Sequence, residues 1–311
     1  MKNLTSVLAD IRGRAVAMAR GGFPDLGELV GRLLPDPLKP VALLPVAAGM
    51  AAGGKPQDLI DSAAVIVLAG VSMRAIDDLA DLDNPRALHL SIGAGRAMNL
   101  AMALSAVVAR ELAGSPLLDA HLRSILTICQ GQDRDMRREV SSLAEYKEIV
   151  KLKTVAAYEL AAASGARAVT ADEEVIDLCS RSGRHLGWMA QMLDDIEALW
   201  FPAPGTSAAI ETRTFPVLLG LTIDHPSARE LKAALREEEL DRARICSLLD
   251  EMSVRTRLMS LALDQRDHAM AALGSPLKPE GSALLKLWLD WLLRGGERLV
   301  APVAHSSAPA A

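Results

Sequence analysis

Two acidic clusters interrupt long apolar segments of this sequence. Asp77, Asp78 and Asp81 stand near the end of one segment, and the i, i+4 spacing of Asp77 and Asp81 puts both carboxylates on one face of a helix. Asp78 lies beside them. Like charges placed there repel one another and, at a helix C-terminus, also oppose the macrodipole. A hard divalent ion such as Mg²⁺ compensates them through oxygen ligands, while keeping positions for water and for phosphate oxygens. The second cluster is Asp194, Asp195 and Glu197, with Gln191 one turn earlier. Its i+4 position is Ala198, and Glu197, at i+3 from Asp194, recovers part of the reach through its extra methylene. A solvated salt-bridge face explains either pair alone, but two pairs in long apolar helices favour metal. Two acidic walls facing across a helical bundle would hold divalent ions that clamp a diphosphate. Neutralising the charge that develops on it lets diphosphate leave an allylic carbon, and an apolar pocket then holds the cation.

Helices must position these groups. Half of the 311 residues are apolar, 23% are charged, only 3% are aromatic, and period-two alternation is hard to find. Breaker clusters such as Pro35-Asp36-Pro37, Gly53-Gly54, Gly114-Ser115-Pro116 and Gly274-Ser275-Pro276 delimit helices near 38–52, 56–82, 92–113, 116–138, 143–164, 171–199, 227–236, 239–272 and 278–294. About ten to twelve helices are expected. Residues 1–300 read as one domain with no interdomain linker, and 301–311 as a flexible tail. The apolar stretches near 62–73 and 99–109 are shorter than the roughly 20 residues of a membrane span. The N-terminal run lacks the continuous apolar core of a secretory signal, so no membrane insertion and a cytoplasmic location are expected. Cys129, Cys179 and Cys246 are too widely spaced for a zinc site and read as buried thiols. A net charge of −5 without a basic block argues against a nucleic-acid partner.

Several blocks, in order, carry a resemblance. Asp77-Asp78-Leu79-Ala80-Asp81 matches a DDxxD motif; Gly131-Gln132-Asp133-Arg134-Asp135, Tyr146 and Lys153-Thr154 follow; then come Gly183 to Gly187, Gln191 to Asp195, and Arg213-Thr214-Phe215-Pro216. The sequence resembles the trans-isoprenyl diphosphate synthases, the polyprenyl synthetase family, over about residues 38–222. The resemblance implies an all-α, single-domain helical bundle of the isoprenoid synthase type with a central active-site cavity, and a homodimer. It implies that Asp77, Asp78, Asp81, Asp194 and Asp195 bind Mg²⁺, as three ions shared with the substrate diphosphate, with Glu197 as a further candidate. Lys153 and Thr154 would contact diphosphate, Gln191 would lie near the reacting carbons, and Arg213 belongs to the adjoining loop. Tyr158 and Trp188 fall where side chains line the prenyl pocket, and Ser72 and Met73 on the wall that limits chain length. Arg74 reads either as a diphosphate sensor or as an intrahelical partner of Asp78.

The departures concern the second substrate. Chain-elongating members hold isopentenyl diphosphate with a GGKRxRP segment, a His and an Arg-Arg-Gly; here Asp36 takes the Lys position with Lys39-Pro40 kept, Gly70 the His position, and Ala87 follows an unrelated stretch. Each missing charge-assisted contact is worth about 1.5–3 kcal/mol. The sequence therefore favours an isoprenyl-synthase-like terpene synthase, which ionises one allylic diphosphate of ten to twenty carbons and releases a hydrocarbon or alcohol. The alternative is a prenyltransferase, either an atypical elongase or one acting on a non-diphosphate acceptor. A regulatory subunit ranks third, because an intact first motif does not suit it.

Overall fold

A computed structural model describes residues 4–80, 87–137, 140–202 and 210–300, and helices dominate them, with no strand among the described residues. The helices are α1 (Leu4–Arg20), α2 (Pro24–Leu33), α3 (Leu44–Ala51), α4 (Ile60–Ala80), α5 (Leu88–Ile92), α6 (Ala94–Glu111), α7 (Leu117–Met136) and α8 (Leu143–Val150). A π-helical turn, Lys151–Val155, leads into α9 (Ala156–Arg167). Then follow α10 (Glu173–Trp200), α11 (Phe215–Gly220), α12 (Pro226–Ala234), α13 (Arg242–Glu251), α14 (Val254–Ala272) and α15 (Pro279–Val300).

Local chemistry starts the elements that matter for the site. The Asp172 carboxylate caps α10 by accepting from the N–H of Glu174 at 3.0 Å, and Glu173 and Glu174 add favourable charge to the first turn. Ser142 caps α8 by accepting from the Glu145 N–H, while the Glu145 carboxylate accepts from the Ser141 N–H. One continuous apolar core runs from Val7 to Leu289. Within it α10 lies against α9 and α14, α9 against α3 and α4, and α4 against α1 and α6.

The approach of α9 to α10 depends on Gly183, where a Cβ would lie 2.4 Å from the Tyr158 carbonyl oxygen. That backbone-to-backbone contact sets the distance between the helices carrying Tyr158 and Gln191. Gly183→Val should therefore force the helices apart, costing about 1–3 kcal/mol or more of stability. A chemical-denaturation curve with an unchanged midpoint would rule this out.

Several elements differ from the sequence expectation. The segment 239–272 is two helices, broken at Ser253, whose φ of 56° is left-handed. Leu249 and Val254 are both fully buried; five residues apart, they would point about 140° apart on a straight helix, so the chain bends to bury both. α1, α2, α5 and α11 lie outside the delimited segments, which brings the described helices above the expected number. Cys179 and Cys246 are buried, whereas Cys129 is exposed on α7. The helix Pro56–Ala80, with 25 residues, is long and apolar enough to cross a membrane by length and composition. Reading only its uninterrupted apolar stretch underestimated it. In the fold its Ala63, Ala64, Leu68 and Ala75 are fully buried in the bundle. Asp81 and the tail 301–311 lie outside the described residues.

Candidate active site

Lys153 sits in the π-helical turn between α8 and α9. Backbone packing fixes that turn against α7, because a Cβ at Gly131 would lie 2.8 Å from the Lys153 nitrogen. The Lys153 ammonium donates to Asp135 Oδ2 at 2.9 Å and lies 3.7 Å from Asp77 Oδ1. Three blocks distant in sequence thus meet at one cation. Asp78 takes another direction: it is buried, accepts from the Leu88 N–H at 2.8 Å, and has the Arg74 guanidinium at 3.8 Å. Arg74 itself is largely exposed.

The second cluster splits into two roles. Asp195 is buried and turns inward, where Oδ2 accepts from the Tyr146 hydroxyl and the Phe215 N–H, each at 2.8 Å, and Oδ1 accepts from Gln191 Nε2 at 2.8 Å. Burial pushes its carboxyl up to about 6 against these hydrogen bonds, which lower it. Its oxygens are thus engaged by protein donors, a different arrangement from the open metal ligand that the resemblance implies. Thr154 Oγ1 donates to Gln191 Oε1 at 2.6 Å, so Gln191 is held at both ends of its amide. Tyr146 packs edge-on against Phe215, with ring centres 5.1 Å apart, and its hydroxyl pKa is raised by burial and then by Asp195.

Asp194 points the other way. Its side chain reaches solvent but is crowded by protein, and desolvation, then Glu197, pushes its carboxyl up to about 6, with Lys39 opposing. A carboxylate whose ionisation is opposed by desolvation and by a like-charged neighbour fits a divalent cation. Among the described residues no three ligating groups converge on one point. Ions held by these carboxylates would complete their shells with phosphate and water oxygens.

Of the remaining candidates, Arg213 pairs with Glu211 at 3.0 Å and feels the charge of Asp135, which places it on the Lys153 side. Ser72 donates to the Ala101 carbonyl at 2.9 Å, so it fastens α4 to α6. Met73 is half-buried, as is Trp188, whose ring meets Phe215 edge-on at 6.2 Å. Tyr158 lines a cavity of 650 Å³ between α4, α9 and the Leu33–Leu44 segment. Asp135, Tyr146 and Lys39 were absent from the candidate residues; Asp135 and Tyr146 stood within the quoted motif series, and that series was the available signal.

A model of the family described as polyprenyl synthetase matches residues 40–252. The chain belongs to the polyprenyl synthetase family. Among curated members, it is 31% identical over 151 residues to the tryptophan prenyltransferase ComQ of Bacillus subtilis subsp. natto, covering 46% of this chain and 47% of that protein. It is 29% identical over 175 residues to the geranylgeranyl diphosphate synthase of Methanosarcina mazei, covering 51% and 53%. The chain thus spans about half the length of the curated relatives it matches. The fold agrees with the polyprenyl synthase of Caulobacter crescentus, crystallised with calcium and isoprenyl diphosphate, at a TM-score of 0.77 and 20% identity over 92% of this chain and 94% of that one.

Proposed function

We propose that this protein is a divalent-metal-dependent prenyltransferase that ionises an allylic diphosphate of ten to twenty carbons. The observation that carries the reading is the meeting of Asp77, Asp135 and Lys153, contributed by three separated motifs. Asp77, Asp78 and Asp81 from one side, and Asp194 with Glu197 from the other, would hold Mg²⁺. When bound, the metal supplies positive charge to the departing diphosphate. Lys153 adds a fixed cation beside the same place. Asp195 positions Gln191 and Tyr146 by accepting from both. Arg74, one helix turn before Asp78, serves it as an ion-pair partner.

The curated relatives are named a synthase and a prenyltransferase, which supports transfer over internal quenching as the main outcome. Internal quenching, giving a terpene hydrocarbon or alcohol, is the second reading, and the missing cations of the second-substrate segment favour it over chain elongation. Geranyl, farnesyl and geranylgeranyl diphosphates, each incubated with and without Mg²⁺, test the shared step. Metal-dependent release of diphosphate from at least one is expected, and none from any would refute ionisation.

A homodimer would cover two exposed apolar pairs: Met98 and Met102, one turn apart on α6, and Leu122 and Leu126, one turn apart on α7. Met102 is 75% exposed and Leu126 70%; exposed apolar side chains on neighbouring turns support pairing with a second copy. The double variant Met102→Glu, Leu126→Glu should shift the protein from dimer to monomer in light scattering coupled to size exclusion. A wild-type monomer, or a variant that stays dimeric, would show that these faces do not pair.

A further inference from the structure

We propose that His185 and His268 form a second metal site, at the solvent edge of the contact between α10 and α14, which takes a borderline divalent transition ion such as Zn²⁺ and not the Mg²⁺ of the carboxylate clusters.

The two rings come from different helices and meet. His185 stands half-buried on α10 and His268 exposed on α14, with ring centres 5.2 Å apart and 29° between the planes. Two imidazoles on one tetrahedral zinc, with Zn–N distances of about 2.0–2.1 Å, have ring centres about 5 Å apart. The spacing suits one shared ion, and the exposed His268 ring can turn a nitrogen toward it.

His185 is prepared as a ligand by a neighbour. Its Nδ1 lies 2.7 Å from Gln265 Oε1, and an amide oxygen only accepts, so Nδ1 carries the proton of the neutral ring and donates it. Nε2 is left with the lone pair. A ligating histidine commonly donates its other N–H to a fixed acceptor, which sets the tautomer and the ring's orientation. Gln265 and His268, three residues apart, share a face of α14, so the acceptor and the second ligand approach His185 from the same helix.

Local charge does not oppose a cation. The arginines near His185 on α10 are engaged, Arg184 with Glu159 and Arg181 with Asp177 at 3.0 Å. Asp264, one turn before His268, adds a carboxylate on the same side of α14. Among the described residues no third ligating side chain joins the pair, so water completes the shell. Two imidazoles do not suit Mg²⁺, which takes oxygen ligands; they suit Zn²⁺. The site is also remote from the second carboxylate cluster: His185 precedes Asp194 by nine residues, about 14 Å along α10 and about 180° around it. An ion there would pin α14 to the helix that carries Gln191 and Asp194.

Titration of the full chain with Zn²⁺ by calorimetry, in excess Mg²⁺ to fill the carboxylates, tests the site without any substrate, so its result is independent of the prenyl-transfer reading. One Zn²⁺ per chain should bind, and the melting temperature should rise by about 4 °C at about a hundred times the dissociation constant. His268→Ala should abolish the binding while leaving the zinc-free melting temperature within about 1 °C of the wild type, because His268 is exposed. Gln265→Glu should tighten the binding and Gln265→Leu weaken it by about tenfold or more, a graded response that a packing role alone would not give. No Zn²⁺ bound in excess Mg²⁺, or binding unchanged in His268→Ala, would overturn the site. In the second case, loss of binding in Cys129→Ser would place the ion at the exposed thiol of α7, and loss in Asp77→Ala would place it among the carboxylates.

Discussion

Asp194→Asn should lower metal-dependent diphosphate release by on the order of 10³-fold or more, because a metal ligand supplies several kcal/mol of transition-state stabilisation. The same variant should be at least as stable as the wild type in metal-free buffer at neutral pH. The Asp194 carboxyl is raised from 3.8 to about 6 by desolvation and by Glu197. A raised acid binds its proton more tightly folded than unfolded, so its ionisation opposes folding. That cost is fully present above pH about 6, diminishes as pH falls, and vanishes below about 3.8. Asparagine carries no such cost. The gain in melting temperature of Asp194→Asn should therefore be largest at pH 7–8 and fade toward pH 4, in EDTA. Full activity in the variant, or a gain that grows as pH falls, would contradict both the ligand role and its electrostatic basis.

Asp195→Ala should behave in the opposite way and lose stability first. Removing this buried carboxylate strands the Tyr146 hydroxyl, the Phe215 N–H and the Gln191 amide, all of which donate to it. Unsatisfied buried donors cost about 1–3 kcal/mol each, partly offset by relief of the buried charge, for a net loss of about 2–5 kcal/mol. The melting temperature should fall by on the order of 10 °C. Asp195→Asn keeps one acceptor oxygen and should fall by less. Activity should drop with it, since Gln191 and the start of α11 lose their anchor. If Asp195→Ala melted like the wild type, the inward network would carry no weight, and Asp195 would return to the metal ligands.

These two neighbouring residues show what the sequence determines. Apolar periodicity, breaker clusters and the scarcity of aromatic residues make the chain helical. The spacing of Asp77, Asp78 and Asp81 and the pairing of Asp194 with Asp195 mark candidate metal ligands on those helices, because helix geometry is local and residue type limits ligand chemistry; Lys153 and Gln191 become candidates only through the resemblance of the ordered motifs. The direction in which each side chain points is not local. Asp194 and Asp195 are adjacent and identical in type, yet Asp194 is exposed and Asp195 turns to a buried tyrosine, and only the packing of α8, α10 and α11 decides which. The division of 239–272 at Ser253 likewise follows from burying both Leu249 and Val254. Gly70 reads in sequence as a missing histidine. Tertiary structure makes it an opening, because the space beside its backbone is bounded by α9 and the Leu33–Leu44 segment, elements far from it in the chain.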